Sequence, residues 1–146
     1  MSLSHPGQLL NLAAIATTTL CLLLGSVGVS AAPALLDEYS SEARQSRADF
    51  QADAGRGRQL FTANHSHSPE LPSCSHCHGN DPRQPGKHAL TGKHIEPMAV
   101  AANPARFSER RKADKWFGRN CREVLGRECS AAEKADVLRY LSQGAS

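Results

Sequence analysis

The chain has 146 residues, five cysteines and a formal net charge of +3. All seventeen Lys and Arg and all fourteen Asp and Glu follow Ala31, which leaves roughly 115 residues for one small domain with a modest core. This length excludes a large multidomain protein, and the small net charge gives no indication of a nucleic-acid partner.

The first predicted element is an apolar segment over residues 1–31. Residues 9–29 are almost all small or apolar, and they lead into Val29-Ser30-Ala31-Ala32, which is similar to a signal-peptidase cleavage site. We therefore predict a signal peptide over 1–31 and export to the periplasm. Because no Lys or Arg precedes the apolar run, and because the run is about twenty residues long, an uncleaved membrane anchor is the alternative.

Residues 32–53 are predicted to form an N-terminal helical extension that packs on the outside of the domain. Apolar side chains recur there at roughly helical spacing, and acidic residues precede the arginines, as the helix dipole favours. The apolar positions are Leu35, Leu36, Tyr39, Ala43 and Phe50.

A short helix that contains Gly57 and Phe61 is predicted next. A glycine on a helix surface lets a second helix approach the backbone closely. Tyr140, in the last predicted helix, is the natural partner for this surface. The following polar loop contains His65 and His67, which we interpret as surface histidines.

The motif Cys74-Ser75-His76-Cys77-His78 is a C-x-x-C-H run, the pattern typical of covalent attachment of a c-type haem. Two thiols separated by two residues can both add to vinyl groups on one porphyrin edge, and the next histidine can reach the iron. We predict one haem c, bound through Cys74 and Cys77, with His78 as the proximal iron ligand. A zinc or redox C-x-x-C site is the alternative, with His76, His88 and His94 as the further candidate zinc ligands, but the sequence shows no second paired cluster at ligand spacing.

The stretch from Gly79 to Pro97 is rich in Gly, Pro and basic residues and is predicted to be a long loop along the haem edge. Its basic side chains suit either haem propionates or an acidic redox partner, and a solvated loop is the alternative. These side chains are Lys87, His88, Lys93 and His94. Met98 follows the loop, and its thioether either ligates the iron on the distal side or packs against the porphyrin.

A helix is predicted to begin between Ser108 and Arg111 and to end near Gly118. On spacing alone, Asn120 would then be a polar cap at the C-terminus of this helix. A last helix, ending at about residue 143, is predicted from the capping box that begins at Ser130 and from the apolar positions that follow it.

Two further cysteines, Cys121 and Cys129, lie eight positions apart between these helices. In an oxidising compartment they can pair as a disulfide, because Cys74 and Cys77 are used by the haem. Such a bond would stiffen the segment next to Asn120.

Together these residues resemble one family closely, the oxygen-binding c-type cytochromes known as sphaeroides haem protein. The resemblance covers nearly all of the chain that would remain after export. The stretches that carry it are Ala54-Gly55-Arg56-Gly57-Arg58, Leu60-Phe61, Pro72-Ser73-Cys74 through His78-Gly79, Thr91-Gly92-Lys93 with Ile95 and Pro97, Arg106-Phe107, Lys115-Trp116, Gly118-Arg119-Asn120-Cys121, Gly126-Arg127 with Cys129, and Glu133-Lys134-Ala135-Asp136.

The resemblance implies an all-α, small class I cytochrome c fold around one covalent haem, over residues 54–146. It implies iron held by His78 and, in the oxidised state, by the amide of Asn120, with the family's disulfide between Cys121 and Cys129. In that family the asparagine leaves the iron on reduction, and the open site takes oxygen or nitric oxide. Met98 stands where an aliphatic residue is expected, which makes Met98 the alternative distal ligand.

The leading functional hypothesis is a periplasmic monohaem electron carrier whose ferrous site binds a diatomic gas. Its redox partner would be a multihaem cytochrome or a membrane cytochrome b. A plain electron carrier with histidine and methionine ligands is one alternative, and a haem oxidase or reductase is another. The sequence favours a carrier over an enzyme, because it shows no specific distal acid–base set beyond loop histidines and Arg119.

Overall fold

The computed structural model describes residues 1–2 and 31–143 of the chain. The predicted signal peptide or anchor lies almost wholly outside these residues. Within the described ranges no helix is both long and apolar enough to cross a membrane. The described elements are α1 (Ala31–Ser46), α2 (Ala54–Thr62), α3 (Ser75–His78), β1 (Gly86–Lys87), β2 (His94–Ile95), α4 (Arg110–Leu125) and α5 (Ala131–Gln143).

Helix α1 supplies part of the first hydrophobic cluster, whereas the sequence predicts a helix that packs on the outside of the domain. It packs along α5 and ends at Ser46, earlier than predicted, where the chain turns so that the Phe50 N–H donates to the Arg47 carbonyl. The turn still buries the Phe50 ring. The first cluster consists of Leu35, Leu36, Tyr39, Ala43, Phe50, Ala113, Ala135 and Leu138.

Helices α2 and α5 cross at Gly57, as the sequence predicts. A Cβ atom at Gly57 would lie 2.0 Å from the carbonyl oxygen of Asp136, so only glycine fits this crossing. Beside it, the Phe61 and Tyr140 rings have their centroids 5.7 Å apart. The second hydrophobic cluster, formed here, consists of Phe61, Val137, Tyr140 and Leu141.

A charge-assisted contact reinforces this crossing. Asp136 is 6% exposed, and its carboxylate accepts hydrogen bonds of 2.8 Å from two nitrogens of the Arg56 guanidinium. It also accepts the backbone N–H of Asp53 at 2.7 Å. The buried carboxylate is thus fully paired, which is the condition for a buried charge to be tolerated.

Helix α4 is longer than predicted. It continues through Gly118 to Leu125 and ends at Gly126, whose φ of +72° and N–H bond to the Arg122 carbonyl form the true C-cap. A glycine inside a helix costs about 1 kcal/mol relative to alanine, and the packing of the buried face of α4 offsets that cost. Asn120 is therefore a helix-interior residue, and the interpretation of it as a C-cap is wrong.

An ion-pair network ties the N-terminal half of α4 to α1 and α5. Asp114 accepts hydrogen bonds from Lys134 (2.8 Å), Arg110 (2.8 Å) and the Tyr39 hydroxyl (2.9 Å). Arg110 also pairs with two glutamates of α1. Burial raises the pKa of Asp114, but the three donors outweigh burial and hold that pKa at about 2.

A covalent bond holds the C-terminal end of α4 in place. A disulfide joins Cys121 to Cys129, with 5.6 Å between their Cα atoms. Helix α5 then begins at the predicted capping box, in which the Ser130 Oγ accepts the Glu133 N–H and the Glu133 carboxylate accepts the Ser130 N–H. The end of one helix is thereby fixed to the start of the next.

The stretch that the sequence predicts as a long loop contains a small hairpin. Strand β1 pairs antiparallel with β2, so that Gly86 faces Ile95 and Lys87 faces His94. Two-residue strands are too short to show an alternation of apolar and polar residues, so the sequence carries no signal for them.

Candidate haem site

Residues 75–78 of the C-x-x-C-H motif form α3, a single helical turn, and Cys74 is its N-cap residue. The Ser73 hydroxyl accepts the His76 N–H at 3.1 Å and so starts the turn. Gly79, with a φ of +76°, ends it. The thiols of Cys74 and Cys77 are free and half-buried. Two free thiols and a histidine therefore project from one rigid turn, as covalent haem attachment requires.

The imidazole of His78 points into the protein. Its ring centroid lies 5.9 Å from that of Phe61 in the second cluster. Burial, helped by the nearby charges of Arg106 and His88, lowers the pKa of His78 to about 4. The ring is therefore neutral at pH 7, which is the form that ligates a metal.

The ring of His78 also retains an unused polar atom. Its Nδ1 is buried and has no hydrogen-bond partner among the described residues. A buried imidazole without a partner is costly in a purely structural role, which favours a ligand role for this side chain.

The surroundings of the two cysteines fit a flat apolar group. Cys74 packs against the second cluster, and burial raises the pKa of its thiol to about 11. Three further side chains that pack on the same cluster are only partly buried and so leave apolar surface for such a group: Met98, Phe107 and Phe117. The residues present therefore fit a haem c, held by Cys74, Cys77 and His78.

The zinc alternative finds no support in the geometry. Across residues 1–2 and 31–143, no three His, Cys, Asp or Glu side chains come together in a way that could hold a metal ion. His94 bonds to Glu96 at 3.2 Å, and the His88 ring accepts two backbone N–H groups of its own loop. His76 is exposed.

The two histidines ahead of the motif have local roles. The His65 Nε2 lies 2.8 Å from the Leu60 carbonyl oxygen. His67 lies against Gly126, where an added Cβ would come within 2.6 Å of its ring. Both side chains pack the loop against neighbouring helix ends, in agreement with their interpretation as loop histidines.

Met98 is held close to the segment that follows His78. Its backbone N–H and that of Ala99 both donate to the Pro82 carbonyl, at 2.9 and 2.8 Å, and Pro82 follows His78 by four residues. Its half-buried side chain packs on the second cluster. The backbone of Met98 therefore lies close to Pro82, in the segment that follows His78.

Asn120 lies on a different element from Met98, in the interior of α4. It follows Phe117 by three residues and precedes the buried Val124 by four, so it belongs to the inward stripe of the helix. Its side chain is half-buried. The adjacent Cys121 is buried and disulfide-bonded, so the backbone that carries the amide is firmly positioned.

Arg106 is a site residue that sequence reasoning missed. Its half-buried guanidinium donates to the carbonyls of Pro97 (3.0 Å) and Glu96 (2.7 Å), and its charge contributes to lowering the pKa of His78. The sequence shows only an arginine in a turn. Nothing in the position of Arg106 in the sequence indicates that this turn folds back onto Glu96 and Pro97.

A helical domain in which a C-x-x-C-H turn packs against two crossing helices has the architecture of a cytochrome c. Comparison with known proteins agrees. The family described as "Domain of unknown function (DUF1924)" matches residues 47–141. The "Cytochrome c-type protein SHP" of Cereibacter sphaeroides is 42% identical over 119 residues, which cover 78% of this chain and 92% of that protein.

Solved structures extend the likeness. The structure of oxidised SHP, described as an oxygen-binding cytochrome c, has a TM-score of 0.70 at 40% identity, covering 78% of this chain and 97% of that one. Cytochrome c'' of Methylophilus methylotrophus is 31% identical over 77% of this chain and 80% of that protein. Its solution structure, described in terms of haem-ligand detachment, has a TM-score of 0.66 at 31% identity and covers 75% of this chain and 90% of that one.

The chain therefore belongs to the sphaeroides haem protein family of monohaem cytochromes c. The predicted all-α cytochrome c fold is confirmed, and so is the predicted cofactor, one haem c.

Proposed function

We propose that this cytochrome is a periplasmic one-electron carrier in which Asn120 ligates the oxidised iron and leaves it on reduction. The vacated position then takes oxygen or nitric oxide. A relative described as an oxygen-binding cytochrome c and another described in terms of haem-ligand detachment support the gas-binding part. The redox partner would be a multihaem cytochrome or a membrane cytochrome b.

One observation carries the ligand assignment: Asn120 and Met98 lie on different elements. The backbone of Met98 is bonded to Pro82, close behind His78. Asn120 is on the inward stripe of α4, a helix that is separate from the residues that follow His78. A second iron ligand would have to come from a part of the chain other than the one that carries His78, and Asn120 meets this condition better than Met98.

The chemistry of the side chains agrees with a ligand that leaves. Haem supplies an iron that alternates between the ferric and ferrous states and can take a ligand on its distal face. An amide oxygen is a hard donor that suits ferric iron better than ferrous, so reduction weakens its attachment. A thioether has the opposite preference, and Met98 would hold the distal position closed after reduction.

The test compares absorption spectra of the holoprotein, ferric and then reduced, with and without carbon monoxide. We expect the wild-type protein to bind carbon monoxide promptly once reduced. Asn120→Ala should change the ferric spectrum, whereas Met98→Leu should leave it unaltered. Asn103→Ala is the matched control, because Asn103 is another half-buried asparagine, whose only side-chain bond in the described chain is a long one to Pro97.

The opposite result would identify a plain electron carrier. In that case the reduced protein resists carbon monoxide, and Met98→Leu removes a sulfur-to-iron charge-transfer band from the ferric spectrum. The periplasmic location is tested separately, by separating the periplasmic and membrane fractions of the cells and sequencing the N-terminus of the protein found in each. A start at or near Ala32 supports cleavage of residues 1–31, and a start at the first residues supports the anchor.

A further inference from the structure

We propose that the hairpin tip, defined as residues 86–95, is the docking surface for an acidic redox protein. The proposal rests on the electron-carrier part of the proposed function. It names the place where the partner binds and the chemistry of the partner surface: acidic side chains around a small apolar centre.

The hairpin tip is in direct contact with the haem-binding turn. A Cβ at Gly86 would lie 2.3 Å from the Cys77 carbonyl oxygen, so the first strand passes directly over α3. The Ala89 N–H donates to the Cys77 Sγ at 3.3 Å. One hydrogen bond therefore connects the surface of the tip to the sulfur that holds the cofactor.

Internal hydrogen bonds fix the shape of the tip. The His88 N–H donates to the Lys93 carbonyl at 2.8 Å, and the Gly92 N–H donates to the His88 carbonyl at 2.9 Å. The His88 Nδ1 accepts the N–H groups of Leu90 and Thr91, both at 3.3 Å. A preorganised surface loses little conformational entropy when a partner binds.

The exposed side chains of the tip include one leucine and two lysines. Leu90 is 62% exposed, an unusual position for a leucine that has no packing role. Lys87 and Lys93 are exposed, and neither forms an ion pair within the described chain. Exposed apolar and basic side chains on one small surface suit a transient interface, in which charge steers the encounter.

A second basic surface provides a comparison. The outer face of α4 carries Lys112, Lys115 and the 45%-exposed Trp116. Two of its other cations are paired, Arg119 with Glu123 at 2.9 Å and a neighbouring arginine with Glu128, whereas Arg111 is exposed and forms no ion pair within the described chain. Docking is assigned to the hairpin tip because the tip contacts the haem-binding turn through Gly86 and Ala89, and the two lysines of α4 serve as a charge-matched control.

The redox step at this surface balances as a single-electron exchange. The reduced partner loses one electron and is oxidised, and the cytochrome gains that electron and is reduced from its ferric to its ferrous form. No proton or other reactant is required.

The experiment measures binding first, so that it does not depend on turnover. The probe is flavodoxin, an acidic one-electron carrier, in its oxidised form, titrated calorimetrically into the ferric holoprotein at low ionic strength. We expect Lys87→Glu/Lys93→Glu to weaken binding about tenfold and Lys112→Glu/Lys115→Glu to weaken it less than about twofold. Leu90→Ser, which leaves the charge unchanged, should weaken binding about threefold.

Three results would overturn the proposal. The first is no salt-sensitive binding of flavodoxin to the wild-type protein. The second is equal weakening by both charge-reversed pairs, or a larger effect of the α4 pair. The third is that Lys87→Glu/Lys93→Glu changes the haem spectrum and reduction potential but not the binding, which would assign these lysines to the haem propionates.

Two controls separate this proposal from the proposed function. Carbon monoxide binding by the reduced variants should equal that of the wild type, since the hairpin tip is not part of the gas site. If gas binding is intact and docking fails, the surface assignment alone is wrong. If a small-molecule one-electron reductant cannot reduce the wild-type haem reversibly, the electron-carrier part of the proposed function is wrong.

Discussion

Gly57→Ala tests how closely α2 and α5 cross. The added Cβ would lie 2.0 Å from the Asp136 carbonyl oxygen and 2.9 Å from the Val137 nitrogen, both of which are backbone atoms. Since side-chain carbons are essentially never found within 3.0 Å of such atoms, the helices must separate by about 1 Å. The same separation loosens the contact between Phe61 and Tyr140 that lies beside His78.

We expect Gly57→Ala to lower the free energy of unfolding by about 3 kcal/mol, which corresponds to a fall of about 10 °C in the melting temperature. Chemical and thermal unfolding of the holoprotein, followed by circular dichroism, measures both quantities. Gly55→Ala is the control in the same helix, because its Cβ would meet only the Asp53 carboxylate at 3.2 Å. If both variants are as stable as the wild type, the helices do not cross as closely as described.

Three further predictions concern charges and the disulfide. Asp136→Asn should destabilise the protein by about 2 kcal/mol, because it breaks a buried charge-assisted contact; urea unfolding measures this, and Asp81→Asn at an exposed ion pair should have no comparable effect. Replacing Cys121 and Cys129 together by serine should cost about 2–3 kcal/mol on chain-entropy grounds; adding reductant should then destabilise the wild type but not the variant. Because the folded-state pKa of Asp114 is depressed to about 2, its contribution to stability is present above about pH 4 and is lost as the pH falls towards 2. The stability difference between wild type and Asp114→Asn should therefore shrink over that range, and a constant difference would contradict the assignment.

Local signals predicted the parts of the fold that depend on local chemistry. The capping box at Ser130 marks the start of α5, the apolar spacing marks α1, and Gly57 with Phe61 marks the helix crossing. The C-x-x-C-H turn needs no tertiary information at all, because its chemistry is contained in five consecutive residues. For the same reason the amino-acid sequence alone predicts the cofactor.

The features that the sequence did not predict depend on contacts between distant residues. Gly118 and Gly126 are both plausible helix ends, and only the packing of the inner face of α4 selects the second. The pairing of Arg110 with α1 joins positions about seventy residues apart, and the contact of Arg106 with Pro97 depends on how a turn folds back. No periodicity or spacing rule carries such information.

If Asn120 leaves the iron on reduction, as proposed, two contacts that hold α4 in place limit how Asn120 can move. The helix is fixed to α1 and α5 through Asp114 and Arg110 at one end, and to the start of α5 through Cys121 at the other. Asn120 lies between these contacts. A displacement of the whole helix would break one contact or the other, whereas rotation of a single side chain breaks neither. We therefore expect a ferrous structure to differ from a ferric one in the torsion angles of Asn120 while the axis of α4 stays in place.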